Sequence, residues 1–255
     1  MHLRLKRLRP LAAFAAAALA LPALAYLLPT TSVLRRLGER RERLSLTALE
    51  VTGTLQAEGT AAARLRAAAR QPEGGSVILP ARFLMKVPGR CRLEVLGATP
   101  EESPFLALRD GKLSGAGGLE AEPSAAASLR ALCTLLAAST AGDASATFAA
   151  ALSRRGISLA EQSLGRFDGR VAYVIGGRGR ESKPLLYVDK DAFQPLRLVA
   201  TEGGTLVDVR LLGWGSPTGG DWFPRAVEAV TADRLLLRFT AEKANANPRI
   251  AEGIL

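Results

Sequence analysis

The chain has 255 residues, 48% hydrophobic and 23% charged, with a formal charge of +10, two cysteines and a single histidine. That length suits one large all-β domain or two small ones. The lone histidine is His2, and a chain that loses it has no Ser-His-Asp triad, no Cys-His pair, no imidazole metal site and no ordinary neutral-pH acid or base.

The amino terminus is built to lose it. Arg4, Lys6, Arg7 and Arg9 precede an apolar run from Leu11 to Leu21, followed by Pro22-Ala23-Leu24-Ala25. A charged start, an apolar middle and a small-residue exit describe residues 1–25 as a secretory signal peptide cleaved after Ala25. The alternative is an uncleaved anchor, because apolar residues continue through Tyr26, Leu27 and Leu28. Both readings put residues 26–255 outside the cytoplasm, in the periplasm, free or tethered to the inner membrane. Removing four of the 34 Lys and Arg against 24 Asp and Glu leaves a charge of +6. The remaining basic clusters, Arg35-Arg36, Arg40-Arg41 with Arg43, and Arg154-Arg155, are short, and Glu39 and Glu42 interrupt the first two. Such patterning fits solvated helix faces rather than a nucleic-acid stripe, with a mild attraction to anionic lipid headgroups.

The spacing of Val33, Leu34, Leu37, Arg41 and Leu44 predicts a short helix over 33–44, capped by Thr31 or Ser32. Leu46 to Gln56 then alternates as a strand through Leu49, Val51, Gly53 and Leu55. Ala61 to Ala69 is expected to be a further strand, because glycines and Pro72 bracket it, although alanine favours helix. Val77 to Val87 and Arg90 to Leu96 form a hairpin at Pro88-Gly89, and a second hairpin starts at Phe105 and turns at Asp110-Gly111. The period changes over about 124–155. Ser124 heads a helix carrying Leu129, Leu132, Cys133 and Leu136, and Asp143 heads another with Phe148, Leu152 and Arg155 that stops at Gly156. Strands resume at Ile157–Phe167, turn at Asp168-Gly169 and continue through Gly177. Further strands are Leu185–Asp189, Leu196–Thr201, Thr205–Leu212, Trp222–Val230 and Leu235–Ala241. The sum is a mainly β (α+β) chain of roughly ten antiparallel strands with an early helix and a central helical insert, and no βαβ units.

Cys91 and Cys133 allow one internal bridge across 42 residues, contributing about 4 kcal/mol in the loop-entropy model, or else two separately buried thiols. No cysteine follows the cleavage site, so the amino terminus carries no lipid anchor, and two cysteines without histidine make no zinc site. Gly176-Gly177-Arg178-Gly179 lacks the Lys-Ser/Thr ending and the following helix of a phosphate loop and reads as a turn. Asp189 with Asp191, and Glu101 with Glu102, sit in polar turns that give no reason for split pKa values. Ser139 and Ser163 have no activating base. No enzyme constellation, metal or cofactor emerges.

Three stretches, in order, resemble the LolA/LolB-like family of periplasmic lipoprotein carriers and outer-membrane lipoprotein-sorting proteins. They are Phe83-Leu-Met-Lys-Val-Pro-Gly-Arg-Cys-Arg-Leu-Glu94, Arg109-Asp-Gly-Lys112, and Asp221-Trp-Phe-Pro-Arg225 followed by Leu235-Leu-Leu-Arg-Phe239 and Asn245-Ala-Asn-Pro248. The resemblance implies a single curved antiparallel sheet, an incomplete barrel lidded by helices, in one domain over residues 26–255. It also implies a monomer that carries acyl chains or lipoproteins between inner- and outer-membrane lipoprotein-handling proteins, without catalysis and without nucleic acid. Inward-facing strand residues would line the pocket: Val51, Leu55, Phe83, Met85, Leu93, Val95, Tyr173, Leu198, Leu237 and Phe239, with Leu132, Leu136 and Phe148 from the lid. For any single one, plain core is the commoner reading, and alternation does not say which face is concave. The lipoprotein carriers commonly place a basic residue before the proline of the first motif and an aromatic three positions after it, as a lid latch. Here those positions are Val87 and Cys91, so a Cys91–Cys133 bridge would latch the lid covalently and put an ordinary handover cycle in doubt. A sensor or scaffold on the same half-barrel, similar to periplasmic regulators of anti-sigma factors, is the alternative. Those regulators add a second, smaller domain, and the sequence shows none.

Overall fold

The computed structural model describes residues 27–69, 71–97, 103–136, 144–179 and 183–255. The expected signal peptide, Glu101, Glu102, Ser139 and Asp143 lie outside them. Helix α1, Thr30–Arg43, begins after Pro29 with no side-chain cap, so neither Thr31 nor Ser32 has the expected role. It leads into β1, Ala48–Ala57, and then into a second helix, α2, Gly59–Ala68. This corrects the strand expected at 61–69. Ala, Leu and Arg are good helix formers, and Ala61, Ala62 and Leu65 fall on one helical face, which is buried.

The chain continues through β2 (Val77–Lys86), β3 (Arg90–Val95), β4 (Phe105–Arg109) and β5 (Lys112–Ala116), then α3 (Pro123–Leu136) and α4 (Ala144–Ser153). Strands β6 (Gln162–Phe167), β7 (Arg170–Ile175), β8 (Leu185–Asp189), β9 (Pro195–Glu202), β10 (Thr205–Leu212), β11 (Ala226–Thr231) and β12 (Arg234–Ala246) complete it. All twelve belong to one sheet in the order β5-β4-β3-β2-β1-β12-β11-β10-β9-β8-β7-β6. Twelve replaces the expected ten or so, and every pairing is antiparallel. The chain therefore meanders outward from the centre to β5, crosses to the far edge through α3 and α4, and meanders back until β12 lies beside β1.

Local turn chemistry sets the register. Asp110 and Gly111 both have positive φ (51° and 78°), as do Asp168 and Gly169 (49° and 73°), the twist-matched two-residue hairpin turn. The strand expected from Trp222 starts only at Ala226, because residues 221–225 form a turn whose carbonyls serve another purpose described below. At the central seam the register shifts between Thr52 and Gly53, with further shifts at Ala229/Val230 and Tyr187/Val188. Such bulges bend a strand and increase its twist. At Gly53 a Cβ would land on the Thr240 carbonyl, so only glycine permits this close approach. Gly53→Val is expected to lower the unfolding free energy by about 1–3 kcal/mol, read as a lower urea midpoint with an unchanged slope.

The bend gives the sheet two unlike faces. Leu49, Val51, Leu55, Phe83, Met85, Leu93, Leu106, Leu198, Val209, Leu237 and Phe239 join α1, α2, α3 and α4 in one apolar core. The other face is largely ionic. Glu50, Arg82, Glu94 and Arg92 run across β1, β2 and β3 as a charge ladder, ending where the Arg92 guanidinium lies 3.9 Å over the Phe105 ring. A small second cluster, with Val174, Leu185 and Tyr187, covers the outer face of β7, β8 and β9. The result is a mainly β, curved and unclosed antiparallel sheet with helices on its concave side, the architecture expected from the sequence.

Candidate functional site

Helix α3 fills the hollow of the sheet. It packs across β3, β4, β9, β10, β11 and β12, and almost all of its residues are buried. Small residues, Ser124 to Ser128, make up its first half, which allows close approach to the strands. Ser128 satisfies its buried hydroxyl by donating to the Ser124 carbonyl at 2.8 Å. Helix α4 touches α3 and packs along α1, in close contact where a Cβ at Gly38 of α1 would stand 2.5 Å from the Ala144 Cβ.

Three sets of bonds hold this lid. At its amino-terminal end the buried Glu122 carboxylate accepts from the Ser124 hydroxyl at 3.0 Å and the Thr60 hydroxyl at 3.4 Å. The same carboxylate lies 3.6 Å from Arg64 of α2, and a negative charge there favours the helix dipole. In its last turn, Cys133 is joined to Cys91 of β3 by a disulfide, with Cα atoms 5.9 Å apart. At the carboxyl-terminal end stands Arg41, only 5% exposed. Its Nε and Nη2 donate to the Leu136 carbonyl at 3.3 and 3.2 Å. Its Nη1 reaches the Asp221 and Trp222 carbonyls at 3.1 and 3.3 Å. Burial, and then the neighbouring Arg40, push the Arg41 pKa down to about 10, with Asp221 pulling the other way; the group stays cationic at neutral pH and again complements the helix dipole. One guanidinium on α1 thus ties the end of α3 to the turn at 221–222. Its sequence signal was a charged residue standing within the apolar stripe Val33, Leu34, Leu37.

Every expected lining residue faces the concave core: Val51, Leu55, Phe83, Met85, Leu93, Val95, Leu132, Leu136, Phe148, Tyr173, Leu198, Leu237 and Phe239 are all buried there. Leu55, Phe83, Leu93, Leu132, Leu237 and Phe239 meet around one small internal cavity, together with Ser128, Leu129 and Val227. Phe223, outside the expected set, bridges two of them, with ring centroids 5.4 Å from Phe83 and 5.9 Å from Phe239. Phe148 instead lines a separate open cleft between the lid and the sheet margins. Val51, Met85, Val95, Leu136, Tyr173 and Leu198 line neither space. The internal cavity is about 20 Å³, the room of a single water. With α3 packed against β11 and β12, that space has no room for an acyl chain.

No protein-family model matches the sequence, and no curated protein does. Solved structures similar to the chain include a LolA superfamily protein of Nitrosomonas europaea, 12% identical, with TM-score 0.48 over 88% of this chain and 96% of that one. A DUF1329 family protein of Desulfovibrio piger is 9% identical, with TM-score 0.43 over 88% and 96%. The Pseudomonas aeruginosa MucA/MucB complex gives 16% identity and TM-score 0.30 over 88% of this chain and 59% of that one. At these identities and scores, none of the likenesses speaks for what this chain binds.

Proposed function

We propose that the protein is an exported, periplasmic, non-catalytic binder of acyl chains, whether of a free lipid or of a lipoprotein handed between inner- and outer-membrane partners. The observation that carries this reading is a continuous apolar concave face covered by a helix instead of by a closed barrel. An apolar chain that replaces α3 on that face gains about 0.8 kcal/mol per buried methylene, and its release requires a competing apolar receptor. Residues Leu55, Phe83, Leu237 and Phe239 are the proposed contact surface, with Leu129 and Leu132 as the part of the lid displaced.

Native mass spectrometry of protein purified from its own periplasm tests this, since it reports ligand, leader cleavage and disulfide together. A bound lipid mass that disappears on delipidation is the expected result. No lipid, together with no uptake of a fluorescent fatty acid by either oxidised or reduced protein, overturns it. The three-point fastening of α3 favours a second reading, a fixed scaffold or sensor that presents the closed lid to a membrane regulator. Capture of such a regulator by the oxidised protein, in preference to lipoproteins, selects that reading.

A further inference from the structure

A second space stays open while the lid is closed. It is a cleft of about 630 Å³, within the usual range of about 300–1,000 Å³ for small-ligand sites. It lies where the two arms of the unclosed sheet approach each other around the lid. Pro88-Gly89 and Asp110-Gly111 turn into it from one arm, Ala200, Thr201 and Glu202 of β9 form the other side, and α3 and α4 supply the wall between. Arg130 of α3 spans the gap, donating to the Gly111 carbonyl at 3.0 Å and to the Glu202 carboxylate at 3.3 Å.

The cleft has two chemistries. Leu108, Ala127, Phe148, Ala151 and Ala200, beside the Cys133 end of the disulfide, make an apolar wall. Arg130, Arg154 and Arg155 supply cations. Glu202 is engaged by Arg130, whereas among the described residues no carboxylate pairs with Arg154 or Arg155. The half-buried Arg155 guanidinium donates only to main-chain oxygens, those of Ala151 at 3.2 Å and Arg130 at 3.1 Å. Burial first, and then the Arg130 charge, lower its pKa, with Glu202 pulling the other way and Arg154 adding to the lowering; two cations face it against one carboxylate already bonded to Arg130, so a further anion would relieve it. A guanidinium meets a phosphate or carboxylate through paired hydrogen bonds.

We propose that this cleft binds the anionic head, a phosphate or a carboxylate, of a single-chain amphiphile, with the head between Arg155 and Arg154 and the first part of the chain along Phe148 and Leu108. The site goes beyond the reading above, since it needs no movement of α3. It is tested by calorimetry on the oxidised protein with dodecyl phosphate, dodecanoate, inorganic phosphate and the uncharged dodecyl maltoside, each below its micellar concentration. Dodecyl phosphate or dodecanoate should bind at least tenfold more tightly than inorganic phosphate and than dodecyl maltoside, and the better of the two identifies the head. Arg154→Glu, at an exposed position, and Arg155→Gln should each weaken that binding by tenfold or more while the thermal melt confirms folding. Amide shifts on titration should appear at Ala151 and Ala200. Inorganic phosphate binding as tightly as the amphiphile overturns the proposal, as do unchanged affinities in both variants. Shifts at Leu237 and Phe239 with none at Ala151 place the probe beneath α3; that outcome also overturns the cleft and leaves the acyl-binding reading standing.

Discussion

Removing the Cys91–Cys133 bridge, as Cys91→Ser with Cys133→Ser, is expected to lower the unfolding free energy by about 4 kcal/mol, the loop entropy of a 42-residue closure. For a chain of this size that corresponds to a melting temperature lower by about 10 °C, visible in a thermal melt with and without reductant. The same variant should take up a fluorescent fatty acid at least tenfold more readily than the oxidised protein. The bridge holds the last turn of α3 against β3, so that Leu129 and Leu132 cannot leave the cavity they share with Leu237 and Phe239. Equal uptake by the two forms would mean that the bridge does not control access to the concave face.

Arg41→Met is the second large effect. The methionine fills much of the volume but leaves the carbonyls of Leu136, Asp221 and Trp222 without their charged donor in a buried place. Each charge-assisted bond of this kind contributes about 1.5–3 kcal/mol, and the lost set should cost about 3 kcal/mol or more. Hydrogen exchange localises the damage: amides in the last turn of α3 should exchange faster, while those of β1 and β2 stay protected. Arg41→Lys keeps the charge but not the fork that spans two segments, and should fall between the two. Unchanged exchange in Arg41→Met would show that the disulfide, without Arg41, fixes the last turn of the lid.

The strand half of this architecture was legible because its signals are local. Alternation placed Leu49, Val51 and Leu55 on one face, and Asp110-Gly111 and Asp168-Gly169 announced their hairpins. The helix at 59–68 was misread because ten residues rich in alanine between glycines fit either state until the sheet beneath shows which face is buried. Arg41 stood out as a charge within an apolar stripe, but what Arg41 and Arg130 hold did not show, for a different reason. Apart from the Glu202 carboxylate bonded to Arg130, their partners include carbonyls of Leu136, Trp222 and Gly111, and backbone acceptors 19 to 181 residues away leave no mark in residue type. The lid was visible as a change of period, but its closeness to the sheet, and so the absence of room beneath it, depends on how far Ala125 to Ser128 can sink between strands.

The seam between β1 and β12 also orders events in time. It pairs residues 49–57 with the last strand, β12, Leu49 standing opposite Ala246, while among the described residues every other ladder joins strands consecutive in sequence. For a chain exported as proposed above, amino-terminus first, β1 to β5 can assemble as hairpins early, and Cys91 and Cys133 would both be outside before α4 follows. An oxidant can therefore fasten the lid onto half a sheet, its other side still bare, long before residues 234–246 arrive. Until they do, β1 is an open edge with an apolar face, the moment at which this protein most needs either speed or a chaperone.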